Sequence, residues 1–591
     1  MADLLAIISE DRSRQVSIAD LRADYEALRG APATAETASA GWAEVAVLDH
    51  PQPPSVGIER AADGGWTAWA GSLLTPGERE APLPAEFEGQ FALLRFDPSA
   101  ATLSLATDPL GLKPLYLARA GGLAYAATSS LTLARHLGLS ASRAGLEAFL
   151  RVGNQFGRET PWEGVERLQP AEAIAFSTSG RARSVYWQPR IDPEVRRLGF
   201  RETAEACAAA ASTAIAARYG GASERPWADL TGGFDTRLLD LLADRAGIEF
   251  EANTVGDEGS EDVQIARELA LAGGWPWTRL DLPADWEELL PQRLSEAVAW
   301  GDCNLDAMQL AEVLETHRAK AASGTALLTG GGGEHFRDYP WAQELWKANR
   351  SNRVDYDRLL AWRLLGPLDL SVFRRDPTPT AAAIRRQALE DRAAPFSSYR
   401  NTFQCDLLYA LKSTGHGGAY QAAAGAWVHM EIPFYLRSVF ETAISAAPRY
   451  RNFHRLMREM MALLDPRLAA IGTETGGPAE PLRLGNLSRF APYLTRRAAR
   501  FGYRLRGRVL GESGAPTADP RQQARAAEIA ALRAVGRLDP ARMRSAALYD
   551  PARLEQVLAS AAVAPAAADW SLIGRVVTVE LALEAADAAV E

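Results

Sequence analysis

Cysteine is nearly missing from this chain. Cys207, Cys303 and Cys405 are the only three in 591 residues, widely spaced and with no CxxC pair. That excludes a disulfide framework and a cysteine-rich zinc site, and reads the three thiols as buried apolar fillers. No uninterrupted apolar run approaches the roughly 20 residues that a membrane-spanning helix needs. The opening residues, MADLLAIISEDRSRQ, have no basic region followed by an apolar stretch. The expectation is a cytoplasmic protein without a membrane contact. Lysine is scarce, standing only at 113, 320, 347 and 412, so arginine supplies nearly all of the 64 basic residues. A biased genome is the simplest source of that skew. A formal charge of -10 argues against nonspecific binding of nucleic acid by the chain as a whole, and no repeat of solenoid period is found.

What is present divides along the chain. The length exceeds one ordinary core and implies two or three domains. Residues 1–195 read as short strands with turns, among them "EVAVLDH", "WTAWAGSLL", "GQFALLRFD" and "TLSLATD". From 200 the texture turns to long alanine- and leucine-rich helical stretches, with "YWQPRIDPEVRRLGF" as the linker. Within 200–480, the segment from Arg225 to Gly274 alternates short strand and helix, as a parallel α/β sheet does. Residues 481–591 read as a helical C-terminal extension. In it, the basic stretch 496–508, "RRAARFGYRLRGR", is either a solvated helix face or a contact for phosphate or an acidic peptide. The later stretch "DPARMRSAALYDPARLEQVLASAAV" is either a docking or dimer surface or a cover for a core.

The most informative turn is "DLTGGFDTRLLDLL", residues 229 to 242. A Thr-Gly-Gly turn between a buried strand and a helix aims backbone N–H groups into a concavity, and the helix N-terminus adds partial positive charge. Gly232 and Gly233 allow close backbone approach, while Thr231 and Thr236 offer hydroxyls to phosphate oxygens. Asp235 would suit a Mg²⁺ ion carried by a triphosphate.

That turn resembles the SGGxDS pyrophosphate loop of the asparagine synthetase superfamily, with threonine for the usual serine. Other blocks agree in order: "EFEGQFALLRFD" (86 to 97), "ATDPLGLKPLYLA" (106 to 118) and "LAYAATSSLTLARHL" (123 to 137) are similar to the late strands of the family's amidotransferase domain. "TVGDEGSEDVQIARELA" (254 to 270) is similar to the second strand and helix, "ALLTGGGGEHFRDY" (326 to 339) to the second glycine loop, and "MEIPFYLRSVFETAISAAP" (430 to 448) to the Pro-Phe-Leu-Asp block. The resemblance implies an α/β protein. An N-terminal Ntn-hydrolase-like αββα domain would precede an adenine-nucleotide α-hydrolase-like synthetase domain with a parallel sheet. It further implies ATP and Mg²⁺ as cofactors. Thr254 and Val255 would lie at the adenine, Gly330 and Gly331 at the phosphates, and Asp235 and Glu334 at the metal.

The departures are as informative. Family members that hydrolyse glutamine carry cysteine at position 2, the nucleophile; here Ala2 stands there and no cysteine precedes Cys207, so glutaminase activity is expected to be absent. The second glycine loop is one residue short, leaving Glu334 to act alone or with Asp338, or to be a solvated cap. Where the family has a lysine that neutralises pyrophosphate, "RNFHRLMREMM" offers His454, Arg455 and Arg458; arginine binds phosphate through a planar fork. "GTETGG" (472 to 477) stands where a basic stretch is expected.

The resemblance implies adenylation of a substrate carboxylate, release of pyrophosphate, and displacement of AMP by an amine. Arg458 would neutralise charge; Glu334, Glu431 (read as part of a helix) and His416 are candidates for catalysis, and the last two fit structural roles equally. With no glutaminase, the closest logic is that of β-lactam synthetases and lasso-peptide macrolactam synthetases, whose amine belongs to the substrate. Partners would be a small molecule or peptide bearing carboxylate and amine, with a precursor peptide, a companion protease and a second copy of the chain also admitted. The alternatives are a ligase using ammonia or an amine on a small acid, and a non-catalytic binding partner.

Overall fold

The structure, a computed structural model, describes residues 3–49, 57–74, 87–220, 225–324, 326–491 and 520–590. Ala2 and the basic stretch 496–508 lie outside the described residues.

Among the described residues, the first region holds twelve strands: β1 (Asp3–Ser9), β2 (Thr34–Ser39), β3 (Ala43–Asp49), β4 (Gly57–Arg60), β5 (Trp66–Leu73), β6 (Gly89–Asp97), β7 (Thr102–Thr107), β8 (Tyr116–Ala120), β9 (Leu123–Ala127), β10 (Val165–Arg167), β11 (Glu172–Ser177) and β12 (Gly180–Val185). They form two six-stranded antiparallel sheets, ordered β10-β8-β9-β1-β3-β2 and β12-β11-β7-β6-β5-β4. β1 shows why the two stack. All seven of its residues are buried, and the strand period of two splits them. Leu4, Ala6 and Ile8 pack with Ala68, Leu94 and Ile174 of the second sheet. Leu5 and Ile7 face a helical layer through Leu21, Tyr25 and Leu131.

The second region contains β13 (Trp227–Asp229), β14 (Glu251–Val255), β15 (Trp277–Leu280), β16 (Ala326–Leu328) and β17 (His429–Glu431). They build one parallel sheet in the order β15-β14-β13-β16-β17. The chain leaves β13 outward on one side to β14 and β15, then returns to β16 on the other. β13 and β16 therefore flank the topological switch point, where an open α/β sheet gapes beyond the carboxyl ends of its strands. The short strand "HME" of β17 corrects the helical reading of Glu431: paired with β16, it is the sheet's edge on that side.

The helices after residue 520 share a core with the first region. Ile529, Leu558, Val576 and Leu583 pack in one cluster with Leu5, Leu131, Leu294 and Leu314. The long helix Asn401–Ala424 crosses between the regions and carries "STGHGG". A methyl at Gly418 would overlap the Leu112 carbonyl oxygen, and one at Gly415 would sit 2.7 Å from Phe156 Cβ. These glycines let the helix lie against the backbone of the first region. Gly418→Ala is expected to cost about 1–3 kcal/mol by overpacking, read as a lower urea midpoint at unchanged slope.

All three cysteines are buried and unpaired, and burial pushes the Cys207 thiol up to about 12. No described helix is long and apolar enough to cross a membrane.

Candidate functional site

Beyond β13 the chain turns through Leu230–Phe234 into the helix Asp235–Arg245. Leu238, Leu239, Leu241 and Leu242 bury that helix against the sheet, so its N-terminus is held at the switch point. Beyond β16 comes the second glycine loop. The two loops touch: a methyl at Gly330 would sit 2.8 Å from the Asp235 carbonyl carbon and from Thr236 N, and one at Gly333 would press on the Asp235 carboxylate. Gly330 is required there by close approach of backbone to backbone, and Gly333 by the Asp235 side chain.

Together the loops border a cavity of about 1120 Å³. Of the residues singled out in sequence, Thr231, Gly233, Asp235, Thr236, Gly330, Gly331 and Arg458 line it, as do His454, Arg455 and Asp338. The others stand elsewhere. Gly232 lies behind the wall, its N–H donating to Asp262 Oδ1 at 3.0 Å. Thr254 is buried, donating to Leu230 O at 2.7 Å and accepting from Trp277 Nε1 at 3.0 Å, and Val255 is exposed at the end of β14. Glu334 does not line the cavity; its carboxylate accepts from Tyr409 OH at 3.0 Å.

Two catalytic candidates need correction. The Glu431 carboxylate is buried between His429 Nε2 at 2.7 Å and Arg218 Nε at 3.3 Å, which satisfies it away from the cavity. His416 faces a different, smaller cavity, and desolvation together with nearby Lys412 holds its pKa down to about 4.

The first loop is closed on itself. Thr231 N donates to Thr236 Oγ1 at 3.0 Å, the two threonine hydroxyls meet at 3.0 Å, and Gly233 N donates to Thr231 Oγ1 at 3.1 Å. Arg337 is the cation at its centre. Its Nη2 donates to Asp235 Oδ2 at 2.7 Å and lies 3.9 Å from Glu334 Oε1, and its Nη1 is 3.3 Å from His454 Nε2. Asp235 Oδ1 is buried without a hydrogen-bond partner. Loss of hydration pushes the Asp235 pKa up to about 7, with Arg337 pulling down and Glu334 and Glu474 pushing up.

A raised carboxyl pKa carries a sign. The stability it contributes is full below about pH 4, the unfolded value, and is lost as the pH climbs through about 7. Asp235→Asn is therefore expected to gain on the wild type between pH 5 and 8 in urea unfolding without added nucleotide.

Strained backbone closes the far wall. Phe453 and His454 both adopt left-handed conformations, at φ 56° and 61°, a cost usually retained only at functional sites. Asp338 Oδ2 accepts from Phe453 N at 3.1 Å, holding that turn. His454 lies over Phe234 at 4.9 Å between ring centroids, and burial beside Arg337 and Arg458 lowers its pKa to about 3, so the ring is neutral. Arg458 lies over Phe234 at 4.9 Å and over Phe490 at 5.2 Å, while donating to Pro478 O and, at 3.1 Å, to Glu480 O.

Three participants were missed by sequence reasoning. Arg337 lies inside the quoted glycine-loop block without a role. Glu474 comes from "GTETGG" and lines the cavity, its N–H donating to Gly232 O at 3.1 Å. Arg237, fully buried, donates to Ile471 O at 2.8 Å and Gly472 O at 2.6 Å, tying that segment to the helix after the first loop.

A family model for a glutamine amidotransferase domain matches residues 80–187, so the first region carries an amidotransferase-type domain. No curated protein matches the chain. Among solved structures it is similar to glutamine phosphoribosylpyrophosphate amidotransferase from B. subtilis complexed with ADP and GMP, at 12% identity and TM-score 0.22, covering 47% of this chain and 65% of that one. It is also similar to a structure described as the allosteric regulatory enzyme of purine biosynthesis, at 11% identity and TM-score 0.23, covering 49% and 77%.

Proposed function

We propose that the chain is an ATP-dependent carbon–nitrogen ligase that uses no glutamine. A substrate carboxylate oxygen attacks the α-phosphorus of ATP and pyrophosphate leaves; an amine then attacks the acyl carbon, AMP leaves, and the amine loses its proton. The observation that carries this reading is the meeting of two glycine loops at the switch point of a parallel sheet, around a cavity large enough for a nucleotide and a second substrate.

Asp235 fits a Mg²⁺ ion because one of its oxygens is buried and unpartnered, and Mg²⁺ commonly takes one or two carboxylates plus substrate phosphates. Glu334 would stand across Arg337 from it. When bound, the ion would neutralise charge on the triphosphate. Arg337, Arg455 and Arg458 supply fixed positive charge around the leaving group, and the neutral His454 ring with Phe234 offers an aromatic wall. Such catalysis rests on positioning and preorganised charge.

The glutamine-independent part rests on the first region. No cysteine precedes Cys207 in this chain, and the head of β1 holds Asp3, bonded to Tyr25 OH at 2.6 Å and to the buried Lys113 Nζ at 3.2 Å. An amine carried by the substrate itself, as in lactam or lasso-peptide closure, would serve such a ligase, with free ammonia or a separate amine as the alternative. A second reading, a non-catalytic binding partner, draws on Arg337 already seated on Asp235 and on the loop's internal hydrogen bonds.

The test is release of AMP and pyrophosphate from α-labelled ATP with Mg²⁺ and a precursor peptide or cell extract. Equal, substrate-dependent and glutamine-independent release supports the ligase. No AMP and no ATP binding would favour the second reading.

A further inference from the structure

A second cavity, of about 380 Å³, lies where the three parts of the chain meet. The end of helix Arg143–Val152 contributes Asn154, the crossing helix contributes Lys412, and the helices after 520 contribute Arg525 and Arg575. Arg363 and Asp306 add charge to the lining, and Gln309, His416, Tyr420 and Ser571 are its uncharged polar groups.

The charges do not balance within it. Among the described residues, Lys412, Arg363 and Arg575 have no carboxylate at ion-pair distance. Arg363 donates to Tyr339 O and, at 3.3 Å, to Gln343 Oε1, with its guanidinium 4.0 Å over the Tyr339 ring. Arg575 donates to Leu150 O at 3.0 Å, Arg151 O at 3.2 Å and Ser571 Oγ at 2.9 Å, capping the carbonyls at the end of that helix. Lys412 lies 5.7 Å from the Tyr409 centroid and is attracted by Glu334 only beyond ion-pair distance. Arg525 is matched by Glu312 at 2.7 Å. Asp306, the one carboxylate of the lining, caps a helix by accepting from Met308 N at 3.0 Å and Gln309 N at 3.2 Å and attracts Arg525 and Arg575 at longer range, one negative charge against four cations.

Asn154 adds an independent observation. It is 6% exposed and its amide oxygen is buried without a partner. Oxygen and nitrogen of an amide are assigned from the hydrogen-bond network, so an acceptor-rich guest would turn this amide to present its two N–H donors.

We propose that this junction is a second anion site, taking a small molecule that carries a phosphate or several carboxylates. Three cations crowded round a small, partly closed space repel one another, and an oxyanion relieves that repulsion with charge-assisted hydrogen bonds. The volume admits a small molecule and excludes a folded partner. Because all three parts of the chain line it, occupancy stabilises their packing.

The experiment titrates the full chain at fixed ionic strength with inorganic phosphate and, separately, with citrate, followed by calorimetry and thermal unfolding. Saturable binding of at least one with a rise in Tm is expected; phosphate alone marks a phosphorylated ligand, and citrate alone a polycarboxylate. Lys412→Glu is expected to weaken that binding at least tenfold, Lys412→Arg to retain it, and Arg458→Gln in the large cavity to leave it unchanged. Should the glutamate variant not fold, Lys412→Gln reads the same loss. The proposal is overturned if neither anion binds saturably, if a folded Lys412→Glu or Lys412→Gln binds as the wild type does, or if Arg458→Gln abolishes binding.

Discussion

Asp406→Ala is expected to cost about 3–5 kcal/mol of folding stability, the scale for breaking a buried ion pair from one side. The Arg451 guanidinium donates to both Asp406 oxygens, at 2.8 and 2.6 Å, and both side chains are 1% exposed. The same guanidinium lies 4.1 Å over the Trp341 ring and reaches Arg337 O at 3.4 Å. Removing the carboxylate strands a cation that water cannot reach. His335 lies buried 3.6 Å from Asp406 with neither ring nitrogen hydrogen-bonded, and a neutral ring nitrogen there replaces none of the lost negative charge. A loss of that size is a large fraction of a typical domain's stability, and urea unfolding of the folded fraction measures it. The double variant Asp406→Leu with Arg451→Met is expected to recover much of the loss, because an apolar pair of similar volume needs no solvation. Equal instability of single and double variants would show that the pair matters through the Arg337 backbone instead.

How much of this site was legible in the sequence depended on range. The first glycine turn was readable because its cause is local: a buried strand, two glycines, and a leucine-rich helix within fourteen residues. The strand β6 matches "GQFALLRFD" to the residue, since its alternation sits in one short window. His454 was placed at the phosphate end by its order along the chain, and the cavity wall includes it. The failures share another cause. "STGHGG" invited a role for His416, yet its glycines answer to Leu112 and Phe156, more than 250 positions earlier. Glu431 was read in a helix because a three-residue strand has no period of its own; only pairing with β16 makes it one. The helices after residue 520 lie in the segment read as helical, but nothing local shows that Ile529 and Val576 share a core with Leu5.

Arginine bias hid one further signal and exposed another. With 64 basic residues and four lysines, an arginine such as Arg337 or Arg237 does not stand out. The lysines do: Lys113 and Lys320 are buried, each on one aspartate, Asp3 at 3.2 Å and Asp229 at 2.9 Å. Those are compact pockets for a point charge, and a planar guanidinium would not fit without rearrangement. Asp229 is the last residue of β13, so Lys320 braces the strand that delivers the first loop.

Asp235→Asn is expected to cut substrate-dependent AMP formation about 100- to 1000-fold, the range found when one preorganised electrostatic group is removed, while raising stability above pH 7. The two effects have one origin. The carboxylate sits where desolvation pushes its pKa to about 7, so its charged form is unfavourable to the empty protein and becomes favourable only when opposite charge arrives. Arg337 supplies part of that charge at 2.7 Å, and asparagine keeps the hydrogen bond while removing the anion. A residue present only for packing would give the opposite pattern, lower stability with activity falling in step. Activity of the wild type should also fall as the pH drops below about 7, and added Mg²⁺ should shift that limb to lower pH by favouring the ionised carboxyl. If AMP formation by Asp235→Asn equals that of the wild type, the first glycine turn is not the triphosphate cradle, and Arg337 is there to neutralise a buried carboxylate and nothing more.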